Sequence, residues 1–308
     1  MEMLFPKRLT PGDKIGIIST SSPAEPEWVE RTREYFETHG YPVEVGPHTL
    51  DRLGFMAGTT EDRAQDIHAM LHDPSIRMLM TASGGATAAR LLPLLDYAAM
   101  RADPKIFIGL SDPTILLNGF THLSGVVTFH GPNGYDFGKL GIAKYSEENF
   151  WPIVSGNIEI PYKFPTPEMC VLKDGPVVEG RLLGGNFPTN IALLGTPWEP
   201  DWEGKILFLE ELFVDLQKTD AMLTHLRLAG VFDKIYGLVM GQYVQLVSQG
   251  LQETYESVIL DNCTGYHFPV VSNLLIGHTL DQLTLPVGCR TRLDTSRRAL
   301  ELVEWPVR

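Results

Sequence analysis

The sequence has few cysteines, no long apolar run and a shortage of positive charge. Its three cysteines, Cys170, Cys263 and Cys289, are widely spaced and odd in number, which argues against a disulfide framework and a paired-cysteine metal knuckle. No apolar stretch reaches the roughly 18 residues that a membrane-spanning helix needs, and no apolar signal region follows the N-terminus. We therefore expect a cytoplasmic protein with no membrane partner.

Acidic residues outnumber basic ones by 38 to 25, which gives a formal net charge of −13. An acidic surface repels nucleic acid phosphates and anionic lipids, so we expect no nucleic acid partner. The 308 residues are otherwise typical of globular chains, with 44% hydrophobic and 20% charged positions. That length predicts either two domains or one large α/β domain.

Short apolar runs alternate with helical patterns in the first half of the chain. Strands are predicted at 14–18, 42–45, 78–81, 106–110 and 126–129. A helix is predicted to begin at Pro23 after a Ser22 cap, and another is predicted over 86–95. This alternation implies a parallel sheet covered by helices on both faces.

The alternation of predicted strands and helices ends near Tyr135, where the chain becomes rich in proline, glycine and aromatic residues. Short predicted strands and a few helices follow from Val177 onward. We predict an α/β N-terminal domain over 1–140, an interdomain connection over 141–175, and a smaller β-rich α+β C-terminal domain over 176–308.

Four turns in the first half follow predicted strands and are rich in small or polar residues. They lie at 19–22, 83–85, 111–112 and 130–131. In a parallel sheet, such turns lie at the carboxyl edge, where open α/β folds bind ligands. We therefore expect the functional site at this edge.

Ser111 lies between an apolar strand and a helix start, which is the arrangement of a nucleophile elbow. Such a turn exposes the serine Oγ and points the next amide, here of Asp112, into the same space. Gly109 matches the first glycine of Gly-x-Ser-x-Gly, whereas Pro113 replaces the second. The alternative is that Ser111 or Asp112 only caps the following helix.

Gly84 and Gly85 follow the third predicted strand. Two glycines at this place bring backbone N–H groups close to a bound oxyanion, or simply make a tight turn. The next residues do not complete Gly-x-Gly-x-x-Gly, so a dinucleotide site is unsupported.

A nucleophilic serine needs a base, and the base needs an orienting carboxylate. His68 and His72 are four apart on a predicted helix, but the glutamate of a zinc helix is missing. His130 and His278 each follow an apolar strand and adjoin a glycine, so both are candidate bases. Glu210 ends a strongly apolar strand, where a buried carboxylate requires a partner or a function.

Taken together, separated motifs resemble the LD-carboxypeptidase family of serine peptidases, whose other main branch is the microcin C self-immunity peptidases. The motifs occur in family order over nearly the whole chain: Leu-Thr-Pro-Gly-Asp at 9–13, Ser-Gly-Gly at 83–85 with Leu-Leu-Pro-Leu-Leu-Asp-Tyr at 91–97, Pro-Lys-Ile-Phe-Ile-Gly-Leu-Ser-Asp at 104–112, His-Gly-Pro at 130–132, Leu-Gly-Gly-Asn at 183–186, Leu-Phe-Leu-Glu at 207–210, Gly-His at 277–278 and Leu-Pro-Val-Gly at 285–288.

The resemblance implies a catalytic triad in which Ser111 is the nucleophile, His278 the general base and Glu210 the orienting acid. The backbone amides of Gly85 and Asp112 would bind the oxyanion. The family fold has a Rossmann-like N-terminal domain and a smaller β-rich C-terminal domain, with the site between them. No metal or organic cofactor is implied, and family members are often homodimers.

Three further residues are candidates for substrate binding. Gly84 adjoins the implied oxyanion amide, and Arg90 follows the same loop and could hold a terminal carboxylate. His130 would be a structural or pocket-lining residue rather than the base.

The resemblance leaves the substrate open. Leu110 replaces the usual tyrosine at the elbow, and Ser-Gly-Gly-Ala-Thr at 83–87 is closer to the immunity branch, yet the chain lacks that branch's long loops. The first expectation is a carboxypeptidase of peptidoglycan recycling that removes D-alanine from cell-wall tetrapeptides. The alternatives are an immunity-type peptidase acting on aminoacyl-nucleotide-like amides and a non-catalytic two-domain binding protein.

Overall fold

Parallel strands joined by helices form most of the first sheet. The computed structural model describes residues 2–212, 215–243 and 250–308. The strands are β1 (Lys14–Ile18), β2 (Val43–Val45), β3 (Ile76–Thr81), β4 (Ile106–Gly109) and β5 (Thr128–His130), and the helices are α1 (Pro26–Thr38), α2 (Thr60–His72), a 3-10 helix (Ala88–Leu94), α3 (Tyr97–Ala102) and α4 (Thr114–Ser124). The order β5-β4-β3-β1-β2 is parallel throughout. Strands β3 and β4 are buried along their whole length, as a sheet covered on both faces requires, which confirms the predicted architecture.

Two predicted helices differ in the structure. Helix α1 begins at Pro26 after an extended Glu25, so the predicted start at Pro23 after Ser22 is wrong. Pro26 supplies the fixed φ that suits a first helical turn. The predicted helix over 86–95 is a 3-10 helix over Ala88–Leu94, and Pro93 disfavours the α-helical form because its ring would clash with the carbonyl four residues earlier.

The second half builds an eight-stranded mixed sheet. Its elements are a π-helical turn (Asp136–Leu140), α5 (Lys144–Ser155), β6 (Tyr162–Lys163), β7 (Cys170–Lys173), β8 (Val178–Asn186), α6 (Phe187–Leu193), β9 (Lys205–Glu210), α7 (Leu216–Leu228), β10 (Gly237–Gly241), α8 (Gln252–Asn262), β11 (Val270–Leu274), β12 (Leu285–Val287), β13 (Arg290–Asp294) and β14 (Ala299–Leu302). The order is β6-β14-β13-β8-β9-β10-β11-β7, with parallel pairing from β8 to β11.

The two sheets do not divide the chain at a single point. Strand β12 comes from the C-terminal part but pairs antiparallel with β5 and becomes the sixth strand of the first sheet. Within the predicted connection, α5 is helical and both β6 and β7 belong to the second sheet. The domain boundaries at 140 and 175 stay predictions.

One large hydrophobic cluster contains buried residues of both sheets, so the two halves share a core. In the described ranges, no helix combines the length and the apolar character needed to cross a membrane.

Candidate active site

Ser111 occupies the sharp turn between β4 and α4. Its φ is +68°, a left-handed conformation that costs energy for any residue with a Cβ and is found where the surrounding structure imposes it. The N-cap of α4 is Pro113, and no side chain caps this helix. Neither Ser111 nor Asp112 caps α4 with its side chain, so the capping alternative is wrong.

The Asp112 carboxylate instead connects the Ser111 turn to the glycine loop. Its Oδ2 accepts hydrogen bonds from the amides of Thr87 at 2.7 Å and Ala88 at 2.8 Å. On the other side of the loop, Ser21 Oγ accepts from the amides of Ala86 and Thr87, both at 2.8 Å. The loop that carries Gly84 and Gly85 is thus fixed from two neighbouring strand ends.

Arg63 also holds the glycine loop in place, through hydrogen bonds of its guanidinium group. Its side chain is fully buried, and Nη1 donates to the Thr20 carbonyl at 2.6 Å and to Thr87 Oγ1 at 3.0 Å. Burial lowers the pKa of Arg63, and no described carboxylate forms an ion pair with it.

Gly84 and Gly85 leave no room for side chains. A Cβ on Gly84 would lie 2.9 Å from Ser111 Oγ, and one on Gly85, whose φ is +150°, would lie 2.2 Å from Ser21 Oγ. The amides of Gly85 and Asp112 donate no hydrogen bond to any residue in the described ranges. Both are therefore free to donate to a ligand.

The second half of the chain contributes a pair in which Glu210 is buried and His278 is partly buried. His278 Nδ1 lies 2.7 Å from Glu210 Oε2, so that Nδ1–H can donate to the carboxylate, and the His278 amide approaches the same oxygen at 3.3 Å. Glu210 is 1% exposed and ends β9. Gly277, with φ +77°, must be glycine because a Cβ would lie 2.0 Å from Glu210 Oε2.

The electrostatics of this pair favour two charges. Burial raises the pKa of Glu210, but the neighbouring His278 and His130 outweigh it, so the pKa lies below its usual value. Burial likewise lowers the pKa of His278, but the Glu210 carboxylate reverses this and leaves the pKa raised. The pair therefore holds a histidine whose second nitrogen can accept and release a proton.

Two of the predicted substrate-binding residues do not reach the cavity. His130 is fully buried behind Glu210, with Nε2 3.5 Å from Glu210 Oε1 and its ring against the edge of Phe208. Arg90 is exposed, donates to Met56 Sδ at 3.4 Å and lies outside the cavity lining.

A cavity of about 530 Å³ brings together four of the predicted site residues. Ser111 and His278 line it together, with Gly84 and Gly85. It is also lined by residues from both halves of the chain: Ser22, Pro23, Trp28, Ser83, Leu110, Asn133, Tyr135, Asp136, Leu140, Leu212, Thr279 and Leu280. Asn133 and Asp136 were not among the predicted site residues, although both follow the strand end at His130 where ligand-binding residues are expected. No group of three or more His, Cys, Asp or Glu side chains in the described part of the chain is arranged to hold a metal ion.

Known proteins share both halves of this architecture. The family models described as LD-carboxypeptidase N-terminal domain and LD-carboxypeptidase C-terminal domain match residues 15–131 and 179–293. A putative carboxypeptidase of Streptomyces coelicolor is 32% identical to this chain over an alignment of 322 positions. The alignment covers 98% of this chain and 96% of that protein.

Two solved structures extend the likeness to the whole fold. The microcin C7 self-immunity protein MccF in complex with aspartyl sulfamoyl adenosine has a TM-score of 0.90 at 27% identity, over 99% of this chain and 100% of that one. The muramoyltetrapeptide carboxypeptidase from Oxalobacter formigenes has a TM-score of 0.83 at 28% identity, over 96% and 100%. From its sequence and its fold, the chain belongs to the LD-carboxypeptidase family and is a serine-type carboxypeptidase hydrolase.

Proposed function

We propose that this hydrolase cleaves an amide bond through a Ser111–Glu210–His278 triad. One observation carries the proposal: the His278–Glu210 pair, at 2.7 Å, and the strained Ser111 line or adjoin the same cavity. The non-catalytic alternative would require a missing triad member, and all three are present.

In the proposed mechanism, His278 takes the proton of Ser111 Oγ as the oxygen attacks the substrate carbonyl. The amides of Gly85 and Asp112 stabilise the oxyanion, an effect worth several kcal/mol in other enzymes. His278 then protonates the leaving nitrogen as the C–N bond breaks. Water, deprotonated by His278, hydrolyses the acyl-enzyme ester, and the proton returns to Ser111.

The first candidate substrate is a cell-wall-derived tetrapeptide that loses its terminal D-alanine, which would place the enzyme in peptidoglycan recycling. Its support is the resemblance to relatives named for such activity, including the murein tetrapeptide carboxypeptidase of Pseudomonas aeruginosa.

The second candidate is an aminoacyl-nucleotide-like amide. Two observations favour it: the higher TM-score of the MccF complex, and the lack of any lysine or arginine among the described residues that line the cavity. A terminal carboxylate would find no lysine or arginine among these lining residues.

Covalent labelling tests the triad. A serine-reactive fluorophosphonate should add one label to the wild-type protein, detected by mass spectrometry and mapped to Ser111. The Ser111→Ala variant should remain unlabelled, whereas Ser22→Ala, which changes another serine of the same cavity, should still be labelled. Labelling of Ser111→Ala at full extent would refute the nucleophile.

Turnover separates the two substrate classes. We would incubate the enzyme with a cell-wall tetrapeptide and, separately, with aspartyl sulfamoyl adenosine, and follow free D-alanine and free aspartate. Release of only one product assigns the class. Hydrolysis that survives Ser111→Ala would contradict the mechanism in either case.

A further inference from the structure

Asp136 is an acidic residue of the cavity to which the proposed mechanism gives no role. It begins the π-helical turn beyond β5, and it lines the cavity together with Ser111 and His278. Its Oδ2 accepts a hydrogen bond from the Asn133 amide at 2.9 Å, which fixes the carboxyl group.

The negative charge of Asp136 is not paired with a lysine or arginine, although the charge of His278 in the same cavity acts on it. Asp136 forms no ion pair within the described ranges, and no lysine or arginine from those ranges lines the cavity. The remaining positions (1, 213–214 and 244–249) contain no lysine or arginine in the sequence. Lys139, on the same turn, places its Nζ over the rings of Trp28 at 4.5 Å and Tyr135 at 4.9 Å.

The raised pKa of Asp136 agrees with the absence of a lysine or arginine partner. Burial raises the pKa of Asp136 to about 6, against the opposing effects of the Asn133 amide, the His278 charge and the Gln282 side chain. A cation placed beside the carboxylate would restore the interaction that burial removes.

We propose that Asp136 binds an ammonium group carried by the substrate near the scissile amide, so that the enzyme selects substrates with a free amine. This inference rests on the proposed function, because it takes the Ser111 cavity as the substrate site. The amine could be the side-chain amine of a diamino acid or the α-amine of an aminoacyl group, and the two sources require different probes.

Matched peptide pairs test the selection. The first pair is N-acetyl-L-alanyl-L-lysyl-D-alanine and its norleucine analogue, which lacks only the side-chain amine. The second pair is L-norleucyl-D-alanine and its N-acetyl derivative, which lacks the free α-amine. The wild-type kcat/KM for D-alanine release should favour the amine in one pair by about tenfold or more, as expected for a charge-assisted hydrogen bond.

Variants assign the preference to Asp136. Asp136→Asn, or Asp136→Ser if the first variant does not fold, should bring the ratio within each pair close to one, whereas Asp136→Glu should retain part of it. Asp281→Asn is the matched control, because Asp281 is exposed and lies outside the cavity lining. Its ratio should equal that of the wild type.

Failure of the inference is distinct from failure of the proposed function. Equal kcat/KM within both pairs, or a preference that survives Asp136→Asn, would overturn the role of Asp136. If the wild type hydrolyses none of the peptides, calorimetric binding of the same pairs to the Ser111→Ala protein decides. Tighter binding of an amine-bearing peptide, lost on Asp136→Asn, supports the inference, and equal binding overturns it.

Discussion

At the scale of single residues, Glu210 determines the ionisation of His278. Its buried carboxylate raises the pKa of His278 although burial alone would lower it. Since a general base must be neutral to accept a proton, activity should be lost at acidic pH. We expect kcat/KM to rise with pH and level off above an apparent pKa higher than the usual histidine value of about 6.5. Initial rates over about pH 5 to 9 check this.

Substitution of Glu210 is the control for that pH profile. Glu210→Gln removes the charge that raises the pKa of His278, so the acidic limb should move to lower pH. The plateau kcat/KM should fall roughly 10²- to 10⁴-fold, by analogy with other triads. If the acidic limb of the profile stays at the same pH in Glu210→Gln, it reports the titration of a group other than His278. Asp136, with a pKa of about 6, would then be tested with Asp136→Asn.

Sequence patterns identified part of this residue chemistry. Ser111 follows an apolar strand and Glu210 ends one, and both positions can be identified from the local sequence. Local pattern does not distinguish His130 from His278 as the base, and only the family resemblance favours His278. The structure shows the physical difference: His278 borders the cavity, and His130 lies buried behind Glu210.

At the scale of elements, the Asp112 carboxylate joins two turns into one unit. It accepts from the amides of Thr87 and Ala88 and so positions the glycine loop beside Ser111. Asp112→Ala should lower the free energy of unfolding by about 1 to 3 kcal/mol, because the buried Ala88 amide loses its acceptor and the Thr87 amide keeps only Ser21 Oγ. It should also lower kcat more than it changes KM, because the Gly85 amide acts mainly on the transition state.

Urea unfolding and steady-state kinetics measure these two effects of Asp112→Ala. Asp112→Asn keeps one oxygen acceptor at the same place and should lose less of both. An unchanged kcat in the alanine variant would mean that the glycine loop is held well enough by Ser21 and Arg63 alone.

At the scale of the whole molecule, β12 makes the first sheet depend on the C-terminal part. Leu285 and Val287 are fully buried, and β12 covers the edge of β5. A fragment of residues 1–140 would expose this edge and part of the shared core. We expect the fragment to lack a cooperative thermal transition by circular dichroism, whereas the full chain unfolds cooperatively. A fragment that unfolds cooperatively at the temperature of the full chain would show that the first sheet is independent.

The sequence by itself determined the alternation of strands and helices in the first half and the strand ends at which Ser111 and Glu210 lie. These are local properties, expressed in hydrophobic periodicity and turn composition. The start of α1 and the type of the helix near Pro93 did not follow from these patterns, because both depend on the detailed backbone geometry of proline.

Only the tertiary structure decided which partners meet. It joined His278 to Glu210 across 68 positions, Asp112 to Ala88 across 24, and β12 to β5. It also left Arg90 outside the cavity and brought Asp136 into it. Such contacts follow from how whole elements pack around a shared core, and no local pattern around any one of these residues encodes them.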